Sequence, residues 1–165
     1  MSEAVNGRLV SVKTKFHREA VRPGGINRSG ANMSSARSVE ALKAQVEDRL
    51  EASTEPLVAL LRDWQAERAP QGCDWAGQVR DLAGLAGLHL LTEVAMHCFD
   101  CLDAVAIDGV VLKPTEAAVL ADALAFARQD MCRGSDLEPY RSLLQDLTTL
   151  SNRVVARAEQ DGVAR

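Results

Sequence analysis

From Ser38 onward, apolar side chains recur at three- and four-residue intervals, and this one feature limits the chain to helical folds. Val39, Leu42, Val46 and Leu50 are spaced three, four and four apart, the stripe of a 3.6-residue helix. Leu57, Leu60, Leu61 and Trp64 extend the stripe beyond Ser53-Thr54-Glu55-Pro56. Proline lacks an amide donor and disfavours helix in the residue before it, so the pattern predicts either two helices or one long helix kinked at Pro56. Ala69-Pro70-Gln71-Gly72 is expected to end this unit.

Asp74 is the expected N-cap of the next helix, which carries Trp75, Val79, Leu82, Leu85 and Leu88 inward. Gly77, Gly84 and Gly87 interrupt it, each costing up to about 1 kcal/mol against alanine inside a helix. Leu90, Leu91, Val94, Ala95, Cys98, Leu102 and Val105 form a further stripe, closed by Asp108-Gly109. Pro114 or Thr115 opens another helix, with Ala118, Leu120, Leu124, Phe126, Ala127 and Met131 inside and Gly134 as its stop. Ser135-x-x-Glu138 has capping-box form, and Leu143, Leu144, Leu147, Leu150, Val154 and Val155 carry a last helix to about Ala158. Val110-Val111-Leu112 is the one strand-like triplet, too short for a sheet. The expected fold is therefore all-α: an antiparallel four-helix bundle with an additional N-terminal helix or a long kinked first helix.

Composition separates the ends from this body. Residues 1–37 hold seven Lys/Arg against two acids, net +5, whereas residues 38–165 hold twelve against twenty-one, net −9. Together with the Gly, Ser, Asn and Pro content before Ser35, this predicts a flexible basic arm over residues 1–35. A helical bundle over 36–160 and a short tail over 161–165 complete the expected organisation. An acidic body lacks the positive face that phosphates require, which argues against a nucleic-acid-binding domain. No apolar run approaches the roughly 18 residues of a membrane span, and residues 10–20 are too charged for a signal-peptide core. Four cysteines without such a signal point to reduced thiols and a cytoplasmic protein. With no apolar surplus on an outer helix face, a monomer is expected.

The side chains suited to chemistry are few. His97-Cys98-Phe99-Asp100-Cys101 contains a Cys-x-x-Cys, but zinc needs about four ligands. Cys73 and Cys132 stand alone and no second His/Cys pair exists at ligand spacing. Cys98 and Cys101 therefore read as small buried hydrophobes, and neither a metal nor a cofactor is expected. Glu93 and His97, four apart on a helix, read as an ordinary helix pair. There is no Gly-x-Ser-x-Gly and no phosphate-cradling glycine loop between a strand and a helix.

The unusual segment is the glycine-interrupted one. Arg80-Asp81-Leu82-Ala83-Gly84, followed by Leu90-Leu91-Thr92-Glu93-Val94, resembles the signature of histidine phosphotransfer (HPt) domains. These four-helix bundles relay phosphoryl groups to response-regulator receiver domains; one bacterial subgroup reads H-D-L-K-G, with L-[VL]-T-E-[IV] opening the next helix. The resemblance extends loosely over residues 38–158. Arg80 stands at the phosphoacceptor histidine and Ala83 at the accompanying lysine. A guanidinium stays protonated and offers no neutral nucleophilic nitrogen, so Arg80 cannot take a phosphoryl group as histidine does.

The resemblance implies a bacterial phosphorelay module without a phosphoacceptor, not a transferase. It would bind a receiver domain or a histidine kinase through Arg80, Asp81, Ala83, Gly84 and Gly87, with Arg80 as a permanent cation in a receiver's acidic pocket. Two alternatives accompany it: an active phosphotransfer protein using His89 or His97, and a helical adaptor or oligomerisation module unrelated to phosphorelays.

Overall fold

The structure is a computed structural model that describes the backbone of residues 28–162 and the side chains of residues 41–157. The chain divides into one unit over Met1–Leu42 and a second over Lys43–Arg165. The basic arm expected over residues 1–35 lies largely outside the described residues. Its last part, 28–35, belongs to the first helix, α1 (Arg28–Arg62). All that follows concerns the second unit.

α1 is a single helix through Pro56, not two. A proline inside a helix costs about 3 kcal/mol, but burying a leucine side chain returns about 1.5–3 kcal/mol. Leu57, Leu60 and Leu61, which follow it, are fully buried. After a 3-10 turn at Ala66–Arg68 comes α2 (Ala69–Ala86), whose N-cap, Arg68, lies six residues before the expected Asp74. Pro70 starts this helix instead of ending the previous one, because a first-turn residue has no intrahelical partner for its amide. Gly72 belongs to the helix for packing reasons: a Cβ there would sit 3.1 Å from Leu102 Cδ1 and 3.5 Å from Leu60 Cδ2.

α2 ends at Gly87, whose φ of 72° is left-handed. Its amide bonds Gly84 O at 3.1 Å and the Leu88 amide bonds Ala83 O at 2.9 Å, the paired bonds of a Schellman stop. α3 (His89–Asp108) follows directly and also ends at a left-handed glycine, Gly109, φ 67°, whose amide bonds Val105 O at 3.2 Å. The two helices are antiparallel: Gly72 faces Leu102, Gly77 faces Phe99 and Gly84 faces Thr92. α3 is the central helix, with Leu90, Leu91, Val94, Ala95, Cys98, Cys101 and Leu102 buried.

The strand-like triplet is an extended connection, and the described residues contain no strand. Val110 and Leu112 point into the core while Val111 is exposed. Leu112 O accepts from Trp64 Nε1 at 2.9 Å, tying the connection to the end of α1. α4 (Pro114–Ala127) opens on Pro114 as expected but stops seven residues before Gly134. A separate 3-10 turn at Asp130–Cys132 buries Cys132 and leaves Met131 exposed, so Met131 is not a core residue. Ala118 and Leu85, also expected inside, are exposed.

The expected capping box does not form: Leu137 is the N-cap of the 3-10 turn Glu138–Tyr140, and Asp136, not Ser135, accepts the Glu138 amide at 3.0 Å. The last helix, α5 (Arg141–Gly162), then packs against α3 and α4. Glu116 at the start of α4 meets Arg157 late in α5, while Phe126 meets Tyr140 just before α5, so these helices are antiparallel. The fold is an all-α helical bundle, and no helix among the described residues is long and apolar enough to cross a membrane.

Candidate functional site

The α2–α3 hairpin brings the two halves of the glycine-interrupted segment face to face. Arg80 lies midway along α2, with Gly77 nearly one turn before it and Gly84 just over one turn after it, all on one side of the helix. Its side chain is 39% exposed, neither buried as a structural cation nor free in solvent. The guanidinium carbon lies 5.5 Å from the centre of the Phe99 ring on α3, within cation–π range. Arg80 Nε donates to Asp81 Oδ1 at 3.0 Å. With Asp81 69% exposed, this ion pair orients the guanidinium more than it stabilises the fold.

The two flanking glycines have different surroundings. A Cβ at Gly77 would touch the Phe99 ring at 3.9 Å, ordinary contact. A Cβ at Gly84 would meet only Thr92 Oγ1 at 4.0 Å. Nothing inside the bundle requires a glycine there, in contrast to Gly72 against Leu102 or Gly87 with its left-handed backbone. The surface beside Arg80 is therefore kept low on its outer side.

Of the residues expected to bind a partner, Arg80, Asp81, Gly84 and Gly87 reach the surface. Ala83 does not: it is fully buried in the core, on the same face as Ala76 and Val79. It contributes packing, and a lysine there would bury its charge. Gly87 is explained by the helix stop alone. Among the histidines, His89 is the exposed first residue of α3. His97 is buried, with Nδ1 3.2 Å from Ser151 Oγ and Nε2 3.4 Å from Thr148 Oγ1 on α5. Both its ring nitrogens are engaged, as in a packed core histidine, so it offers no free nitrogen to a phosphoryl group.

The Cys-x-x-Cys is part of the core. Cys98 and Cys101 are buried, and burial holds both thiols far above their ordinary range, Cys101 at about 12 with Asp100 adding to the effect. Half-buried Cys73 is raised to about 11 by burial and by Asp103 and Asp74. None of the three thiols is activated. The described residues bring no three potential metal ligands together.

Sequence reasoning missed one polar pair. Glu116, on the first turn of α4, is buried and receives Arg157 Nη1 at 2.9 Å on Oε2 and Nη2 at 2.6 Å on Oε1. The Lys113 amide also donates to Oε2 at 3.0 Å, and Arg157 Nη1 reaches Val111 O at 2.8 Å. The Arg157 hydrogen bonds hold the Glu116 carboxyl down at about 2. This pair ties α4, α5 and the 109–113 connection together; it is structural, since every acceptor it uses is internal.

Comparison of the chain with protein-family models, with curated proteins and with solved structures finds no match. The fold defines a helical bundle.

Proposed function

We propose that this chain is a phosphorelay signalling module resembling an HPt domain, in which Arg80 replaces the phosphoacceptor, and that it acts by binding a response-regulator receiver domain. The observation that carries this reading is the Arg80 face. A partly exposed cation lies mid-helix, and on its outer side stands a glycine for which the bundle has no internal use. Interior helix glycines cost up to about 1 kcal/mol, and one without an internal contact makes sense where a second surface must come close. The pairing of Gly84 with Thr92 across α2 and α3 also juxtaposes the two halves of the motif that carries the resemblance.

In this role the protein occupies a receiver without accepting its phosphoryl group. It would compete with an active phosphotransfer partner or sequester the receiver. The test is calorimetric titration of the full chain into a panel of purified receiver domains, with Arg80→Ala alongside. Saturable binding weakened by Arg80→Ala supports the reading; absence of binding across the panel counts against it. The exposure of His89 favours a second reading, phosphotransfer through that histidine, which makes acid-labile label on the wild-type chain its signature.

A further inference from the structure

We propose that His97 is a proton-operated latch between α3 and α5: its imidazolium form fastens two hydroxyls of α5, its neutral form only one. A hydroxyl carries a single proton and accepts through its lone pairs. Thr148 Oγ1 donates its proton to Leu144 O at 2.7 Å, and Ser151 Oγ donates its proton to Thr148 O at 3.2 Å. Both hydroxyls therefore present lone pairs to the ring, Ser151 Oγ 3.2 Å from Nδ1 and Thr148 Oγ1 3.4 Å from Nε2. A neutral imidazole has one N–H, so its other nitrogen sets a lone pair against a lone pair. The imidazolium donates from both nitrogens and satisfies both contacts. In the neutral form one hydroxyl must leave its carbonyl to serve the ring.

The charged groups around the contact are mostly carboxylates. On α3, Glu93 lies one turn before His97 and Asp100 one turn after it. Ser151 lines a groove with Asp100, Asp103 and Asp108, and with no basic side chain among the described residues. Thr148 lines a second groove with Asp136, Glu138 and Arg141, where Arg141 is paired with Glu138. Burial of the ring works against a charge there. The second hydrogen bond, charge-assisted and so of the stronger kind, works for it together with these carboxylates.

Imidazole is the side chain that changes charge between about pH 5 and 8, and the Glu116 carboxyl, at about 2, titrates below that window. A folded state that binds the extra proton gains stability as the pH falls. The latch therefore contributes at the acid end of the window, and its contribution is lost as the pH rises. The experiment is urea denaturation of the full chain at a series of pH values across the window, for wild type, His97→Gln and Thr148→Val. Taking the difference from His97→Gln removes the effects of the other histidines, His17 and His89. One additional charge-assisted hydrogen bond predicts that the folded-to-unfolded ratio of wild type, relative to His97→Gln, rises about tenfold from the basic end to the acid end. Thr148→Val leaves Nε2 without an acceptor and is expected to lose this rise. Parallel curves for wild type and His97→Gln overturn the latch. A rise in Thr148→Val as large as in wild type overturns it as well, and that comparison holds even if His97→Gln does not fold.

Discussion

The Arg80 guanidinium rests over the ring of Phe99, joining the middle of α2 to the outer side of α3. A half-exposed cation over an aromatic face contributes about 0.5–1 kcal/mol. A double-mutant cycle on Arg80→Ala and Phe99→Leu, read by urea denaturation, is expected to return a coupling of about that size. Zero coupling would mean that Phe99 does not hold the guanidinium in place.

The glycines of α2 should respond in opposite directions. Gly84→Ala gains helix propensity and meets only Thr92 Oγ1 at 4.0 Å, so it should raise stability by about 0.5–1 kcal/mol. Gly72→Val drives its side chain toward Leu102, already 3.1 Å from a Cβ position, and should cost about 1–3 kcal/mol by overpacking. Thermal melts of the two variants check this. A stability gain at Gly72 or a loss at Gly84 would contradict the assignment of one glycine to packing and the other to an outer surface.

These contrasts also indicate what sequence alone could disclose. Apolar spacing locates α3, because its stripe is nearly all core and its end is marked by Gly109; Gly87 reads in sequence as an interruption of the preceding helix, whereas its left-handed backbone makes it that helix's stop. The start of α2 is not fixed by local sequence, because Pro70 is compatible with either ending a helix or beginning one, and only burial of Ala69 and Gly72 decides. Gly72 and Gly84 look alike in sequence; their roles differ because Leu102, thirty residues away from Gly72, faces one of them. Motif position places Ala83 at the surface, whereas the helix turns it into the core with Val79. The Glu116–Arg157 pair spans forty-one residues and has no local sequence signature.

That pair sets an expected acid response. Folding lowers the Glu116 carboxyl from about 4.5 to about 2, chiefly through the Arg157 hydrogen bonds. A depressed carboxylate contributes stability that is fully present above its unfolded value and is lost as the pH falls through 4.5 towards 2. With partial solvent screening the contribution is about 2 kcal/mol. Glu116→Gln should flatten the stability profile over this acid range while leaving the slope above pH 5 unchanged, as measured by denaturant titration at several pH values. An unaltered acid slope would remove the pair as its cause.

Removing the partner should be worse than removing the charge. Arg157→Leu leaves the Glu116 carboxylate buried with only the Lys113 amide and the more distant Arg153, whose Nε lies 3.9 Å away. An uncompensated buried charge costs about 3–5 kcal/mol. The expected order of stability is wild type, Glu116→Gln, then Arg157→Leu, with the double variant above Arg157→Leu.

Reactivity distinguishes the histidines. Diethylpyrocarbonate should modify His89 rapidly and His97 slowly, because His89 is exposed and both nitrogens of His97 are held by hydroxyls of α5. Peptide mapping after brief treatment reads both rates; fast modification of His97 would show that the α3–α5 contact opens.

Phosphotransfer separates a binding module from an active relay protein. A receiver domain that binds the chain is phosphorylated with radiolabelled phosphoryl donor, freed of donor and mixed with wild type or Arg80→His. Wild type is expected to carry no acid-labile label, because Arg80 has no nucleophilic nitrogen to offer, and Arg80→His to carry it, since that variant restores an imidazole on the same face. Label on wild type that disappears in His89→Ala would contradict the account and identify an active phosphotransfer protein.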